Sequence, residues 1–146
     1  MSIVISPEFA WPVLAAAFMG IQLVVIGAGV GAARKKYKVD YPDMGCGRYA
    51  DKLSDEDWVA FNNVQRSHQN YVEQISSAQV FVLLSGLFYP KVSGFLGFTY
   101  IVGRQLYSAG YRSKGPEGRM IGAIALDVAL VVMFLIIVYN AVKLLL

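Results

Sequence analysis

The sequence predicts an all-α integral membrane protein whose single domain is a bundle of four spanning helices. Three observations predict it. Only 16% of the 146 residues are charged while 56% are hydrophobic, against about 25% charged in ordinary soluble domains. The apolar residues gather into long stretches separated by polar segments. The basic residues gather beside alternate ends of those stretches, as membrane topology requires.

The first stretch runs from Phe9 to Ala33 without a formal charge. As a helix its length of about 25 residues covers roughly 37 Å, enough for a hydrocarbon core of about 30 Å. No basic stretch precedes it and it is too long for a cleavable apolar core, so it reads as a span rather than a signal peptide. Arg34, Lys35, Lys36 and Lys38 follow at once, where headgroups would receive them.

The second element starts earlier than its apolar part. Ser54 followed by Asp57 has capping-box spacing, and Asp55, Glu56 and Asp57 suit the positive end of a helix. One long helix is expected from about Asp55 to about Tyr89, with its span over about residues 60–89 and its first turns in water. Tyr89-Pro90-Lys91 reads as a short turn. The third span is expected over about residues 92–111, interrupted in charge only by Arg104. A polar loop from Arg112 to Arg119 then leads to the fourth span, about residues 120–143, which contains Asp127. No repeat or linker divides the chain, so residues 1–146 read as one domain.

All the lysines and arginines except Lys91 and Lys143 fall in the first and third loops or the helix ends beside them. The positive-inside rule therefore places those two loops in the cytosol and both termini opposite. A net charge of +3 distributed in this way excludes a basic nucleic-acid face. The lone cysteine, Cys46, excludes an internal disulfide, and the lone histidine, His68, cannot build a metal site with others.

Two stripes carry chemistry. Arg66, Asn70 and Glu73 share one face of the second helix, and Arg104, Tyr107 and Tyr111 share one face of the third. Ionisable groups at membrane depth are costly, which makes each a functional candidate. Arginines bind carboxylates in bidentate fashion, Glu73 suits an ammonium group, and the asparagine amide and tyrosine hydroxyls fix orientation. A small zwitterion with an excess of negative groups fits this set, and glutathione is such a molecule. The competing reading makes Arg66–Glu73 and Arg104–Glu73 ion pairs that hold the bundle together. Lys35, Lys36 and Lys38 are explained by snorkelling to headgroups.

The runs Ala33-Arg34-Lys35-Lys36-Tyr37, Gln65-Arg66-Ser67-His68-Gln69-Asn70 with Glu73, and Gly103-Arg104-Gln105-Leu106-Tyr107 with Gly110-Tyr111 resemble the MAPEG superfamily, the membrane-associated proteins in eicosanoid and glutathione metabolism. They are most similar to its type-3 microsomal glutathione transferases. The resemblance implies a homotrimer with glutathione held between subunits near the cytosolic membrane face. It assigns glutathione binding to Arg34, Arg66, Asn70, Glu73, Arg104, Tyr107 and Tyr111. By the same resemblance Arg119 is the catalytic candidate for stabilising the thiolate, with a spacing from Tyr111 one residue longer than in the related leukotriene-C synthases. Gln74 stands where those synthases have tyrosine. Asp127, Cys46 and the long first loop have no counterpart role.

The expected function is a membrane-bound glutathione transferase and peroxidase acting on lipophilic electrophiles or lipid hydroperoxides, with glutathione as co-substrate and no metal. The alternative is a non-catalytic subunit of the same fold, recruited to a larger membrane complex or presenting lipid to a partner. The endoplasmic reticulum is the expected membrane, with a mitochondrial membrane as the alternative.

Overall fold

The computed structural model describes residues 5–146, and every described regular element is helical. The long helices are α1 (Ala10–Tyr37), α2 (Asp55–Gly86), α3 (Pro90–Lys114) and α4 (Met120–Leu145). Local chemistry sets their ends. At the close of α1, Lys38 adopts the left-handed conformation with φ 56°, and Arg34, Lys35 and Lys36 occupy the last turn, where the helix dipole favours cations. Ser54 caps α2 by accepting from the Asp57 N–H at 3.2 Å, with three acidic residues in the first turn. Pro90 opens α3, a position where its missing N–H costs nothing.

The polar segment after Tyr111 differs from the expected loop. Arg112, Ser113 and Lys114 form the last turn of α3, and Gly115–Arg119 is a 3-10 turn that feeds straight into α4. Gly115 breaks the helix with φ 68°, and the backbones of Gly110 and Gly118 approach so closely that a side chain on Gly110 would collide with the Gly118 carbonyl. Arg112 also reaches back across the molecule: its Nη2 donates to the Ile26 carbonyl at 2.9 Å and its Nε to Ser67 Oγ at 3.4 Å. Those tertiary bonds hold the extra turn that composition alone marked as loop.

Side-chain contacts give the helix directions. Gln79 Nε2 donates to the Ala16 carbonyl and Tyr71 lies against Met19, so α1 and α2 run antiparallel. Ser85 meets Ser93 while Asn70 meets Tyr107, so α2 and α3 are antiparallel as well. Gly103 faces Leu126 and Gly110 faces Gly118, which makes α3 and α4 a tight hairpin. α3 is the central helix, packed on the other three. The first loop and the 115–119 turn therefore share one end of the molecule.

The core is formed by Met19, Tyr71, Ala78, Val82, Tyr100, Leu126, Ala129 and Met133. Outside it, the outer faces of α1 and α4 are strongly apolar yet exposed, including Phe18, Ile21, Val24, Val25, Ile121, Ile124, Val128 and Leu135. A soluble surface does not present apolar patches of that extent. Two continuous helical stretches, Pro7–Tyr37 and Pro90–Leu145, are long and apolar enough to cross a membrane; the second contains both α3 and α4.

Candidate functional site

A cavity of about 450 Å³ opens between α2, α3 and α4. Its walls carry Asn70, Glu73 and Gln74 from α2, Arg104 and Tyr107 from α3, Arg119 from the turn, and Met120, Ala123, Leu126 and Asp127 from α4. The α2 and α3 residues arrive together because each set recurs at three- and four-residue spacing on one helix face. Close packing of the α3–α4 glycines then brings the turn and α4 over them.

The polar groups form two tiers. In the tier nearer the loops, the Tyr107 hydroxyl accepts from Asn70 Nδ2 at 2.7 Å and from Arg119 Nη1 at 3.1 Å. Both acceptor positions of that oxygen are then occupied, and its own proton remains available to a ligand. The Arg119 guanidinium carbon also lies 5.8 Å from the Tyr107 ring centroid and 5.6 Å from that of Tyr111, within cation–π range. Tyr111 is buried behind Tyr107, with ring centroids 5.9 Å apart.

The deeper tier centres on Arg104, which is 1% exposed. Its guanidinium carbon sits 4.7 Å from the ring centroids of both Tyr71 and Tyr107. Its Nη2 donates to Gln74 Oε1 and, at 3.4 Å, to the Tyr100 hydroxyl. Gln74 Nε2 in turn donates to Asp127 Oδ1 at 3.5 Å. Nε and Nη1 of Arg104 are buried without a protein partner.

The ion pairs of the competing structural reading do not form. Among the described residues the salt bridge within 4.0 Å joins Lys91 to Glu8 at 2.7 Å, at the opposite end of the molecule. Glu73 lines the cavity wall unpaired, and Arg66 is exposed and donates to Gln69 Oε1 at 3.1 Å instead. A buried arginine supported by aromatic faces and an amide, with no carboxylate in contact, carries an uncompensated positive charge at the cavity that favours an anion.

The chain matches the MAPEG family over residues 12–139. It belongs to that family. It is also 31% identical over 116 residues to an uncharacterised protein of the cyanobacterium Synechocystis sp., a match covering 79% of this chain and 76% of the relative. MAPEG members include glutathione transferases and peroxidases, and the family typically uses glutathione. No group of three or more His, Cys, Asp or Glu able to hold a metal occurs among the described residues.

Of the residues singled out from the sequence of this MAPEG protein, Asn70, Glu73, Arg104, Tyr107 and Arg119 line a common cavity, and Tyr111 backs it. Arg66 and Arg34 lie outside it within a single chain. Arg34 is built into the first loop: its Nη1 donates to the carbonyls of Asp43 at 2.6 Å and Val39 at 3.2 Å, and its guanidinium covers the Tyr41 ring at 4.1 Å. That loop turns around Asp43, whose carboxylate accepts from the backbone N–H groups of Gly45, Gly47, Tyr49 and Ala50 at 2.8–3.0 Å. Burial works to raise the Asp43 pKa, and the four N–H donors overcome it, holding the group at about 2. The residues that sequence reasoning left without a role are Gln74 and Asp127. The signal for Asp127 was its position as the one acidic residue in the fourth apolar stretch.

Proposed function

We propose that this protein is a membrane-bound glutathione transferase with peroxidase activity toward lipophilic substrates, most similar within its family to the type-3 microsomal enzymes. In this reading each subunit crosses the bilayer four times, three subunits associate, and the basic loop end faces the cytosol of the endoplasmic reticulum. The observation that carries it is the pair of guanidiniums, Arg104 and Arg119, converging on Tyr107 in a cavity where neither meets a carboxylate. Such a site favours a ligand with carboxylates, and Glu73 on its wall suits the ligand's ammonium group.

The chemistry follows from the upper tier. Glutathione must lose its thiol proton before it attacks, and the Arg119 cation with the Tyr107 hydroxyl stabilises the thiolate. The thiolate attacks an electrophilic carbon to form a thioether, while a leaving group departs with its bonding pair or, at an activated double bond, the displaced π pair takes a proton. With a hydroperoxide the thiolate takes the distal oxygen to form a sulfenic acid, and the departing alkoxide takes a proton to become the alcohol. A second glutathione then condenses with the sulfenic acid to give disulfide and water. The apolar α4 wall of Met120, Ala123 and Leu126 suits a substrate that arrives from lipid. In a trimer the exposed Arg66 is placed to approach a ligand from an adjacent subunit, whereas Arg34 supports the first loop.

The test compares glutathione binding and thiolate absorbance in purified wild type, Arg104→Ala and Arg119→Ala. Arg119→Ala is expected to bind glutathione yet lose the thiolate signal, whereas Arg104→Ala loses binding. A wild-type protein that neither binds glutathione nor forms thiolate would sink the proposal.

A further inference from the structure

The lower tier of the cavity joins three helices through one side chain. Gln74 of α2 presents its amide oxygen to the Arg104 guanidinium of α3 and its amide nitrogen to the Asp127 carboxylate of α4. Its two ends match the two charges in only one orientation, so the amide is fixed. Asp127 lies seven residues, about 10 Å, into α4, and Arg104 lies ten residues, about 15 Å, from the end of α3. Both charges thus sit at the cavity floor, below Arg119 and Tyr107. The other charged groups facing this floor are Glu73 on α2 and Arg119 above it.

We propose that Gln74 and Asp127 are positioning and specificity-determining residues, an amide-bridged counter-ion that tempers the Arg104 charge without direct contact. The inference rests on the glutathione reading above and deepens it. A carboxylate in direct contact would satisfy Arg104 and compete with an incoming anion. A carboxylate one amide away offsets the cost of the buried cation yet leaves Nε and Nη1 without a protein partner, so no contacting anion cancels the charge that draws a ligand carboxylate to the cavity. The bridge therefore sets the strength of the deep anion anchor, and with it the preference for a ligand bearing carboxylates over one whose carboxylates are masked.

The sign of the substitutions separates this role from simple packing. Asp127→Asn keeps an acceptor for Gln74 and removes the negative charge, so glutathione is expected to bind roughly three- to tenfold more tightly. Glutathione diethyl ester, which has lost both carboxylates and carries a net positive charge, is expected to bind more weakly to the same variant. Gln74→Glu puts a carboxylate directly on Arg104 and is expected to weaken glutathione binding about tenfold or more. Calorimetric titration of wild type, Asp127→Asn and Gln74→Glu with both ligands reads all of these. Weakening of both ligands by Asp127→Asn, or no change in either, overturns the proposal while leaving the glutathione reading intact. Should Gln74→Glu fail to assemble, the opposed response of the two ligands to Asp127→Asn still decides. A wild type that binds neither ligand overturns both.

Discussion

Arg104 and Arg34 are both buried arginines, and their surroundings give them opposite roles. Arg34 turns its Nη1 to the carbonyls of Val39 and Asp43 and closes a loop. Arg104 lines a cavity, and its Nε and Nη1 are buried without a protein partner. A buried cation without a contacting anion costs stability, and an apolar side chain of similar length relieves that cost. Arg104→Met is therefore expected to keep or raise the melting temperature of the ligand-free protein in detergent while abolishing glutathione binding; a markedly lower melting temperature would mean that Arg104 is structural. Asp43 gives a pH-dependent counterpart. Its native pKa of about 2 lies below the reference 3.8. Its contribution to loop stability is thus complete above about pH 4 and fades as the pH falls toward 2. The hydrogen-exchange protection of Gly45, Gly47, Tyr49 and Ala50, relative to an unstructured peptide at the same pH, is expected to fall across that acid window in wild type. In Asp43→Ala these amides should exchange fast at neutral pH, the four N–H groups having lost their acceptor.

At the scale of helices, the α3–α4 hairpin controls the site because its closest contacts are backbone on backbone. A side chain on Gly122 would collide with the Tyr107 amide and the Gly103 carbonyl, and Tyr107 is the residue that Asn70 and Arg119 share. Gly122→Val is expected to cost about 1–3 kcal/mol through overpacking and to weaken glutathione binding as Tyr107 shifts. Gly31→Ala, where an added methyl meets nothing within 4 Å, is expected to leave thermal unfolding unchanged or raise it slightly. Local and long-range contacts differ in how far a sequence makes them legible. The Ser54 cap and the start of α2 are local chemistry, and the sequence displays them. The face shared by Arg104, Tyr107 and Tyr111 is helix periodicity, equally visible. The last turn of α3 was hidden because Gly115-Pro116 with neighbouring polar residues reads as loop, whereas Arg112 is held by Ile26 and Ser67 far away in the chain. The Gln74–Asp127 contact was hidden for the same reason: it joins residues 53 apart on different helices, and no spacing rule pairs them.

For the whole molecule, the two ends differ as sharply as the inner and outer faces. The first loop and the 115–119 turn share one end, together with the Arg34–Lys38 cluster and Arg119 of the polar cavity. In the proposed reading that end faces the cytosol, so glutathione would reach the upper tier from water while a lipophilic partner would meet the apolar α4 wall from the bilayer. Cys46 provides a direct test. It is the one cysteine in the sequence, free and exposed in the first loop. A membrane-impermeant maleimide is therefore expected to label sealed vesicles whose cytosolic face points outward, and to leave sealed vesicles of the opposite orientation unlabelled until detergent is added. Labelling only of vesicles whose cytosolic face points inward would reverse the topology and deliver the cavity to the opposite compartment. Saturating glutathione should leave the labelling rate unchanged if the cavity between α2, α3 and α4 is its site, because Cys46 lines a separate pocket in the loop.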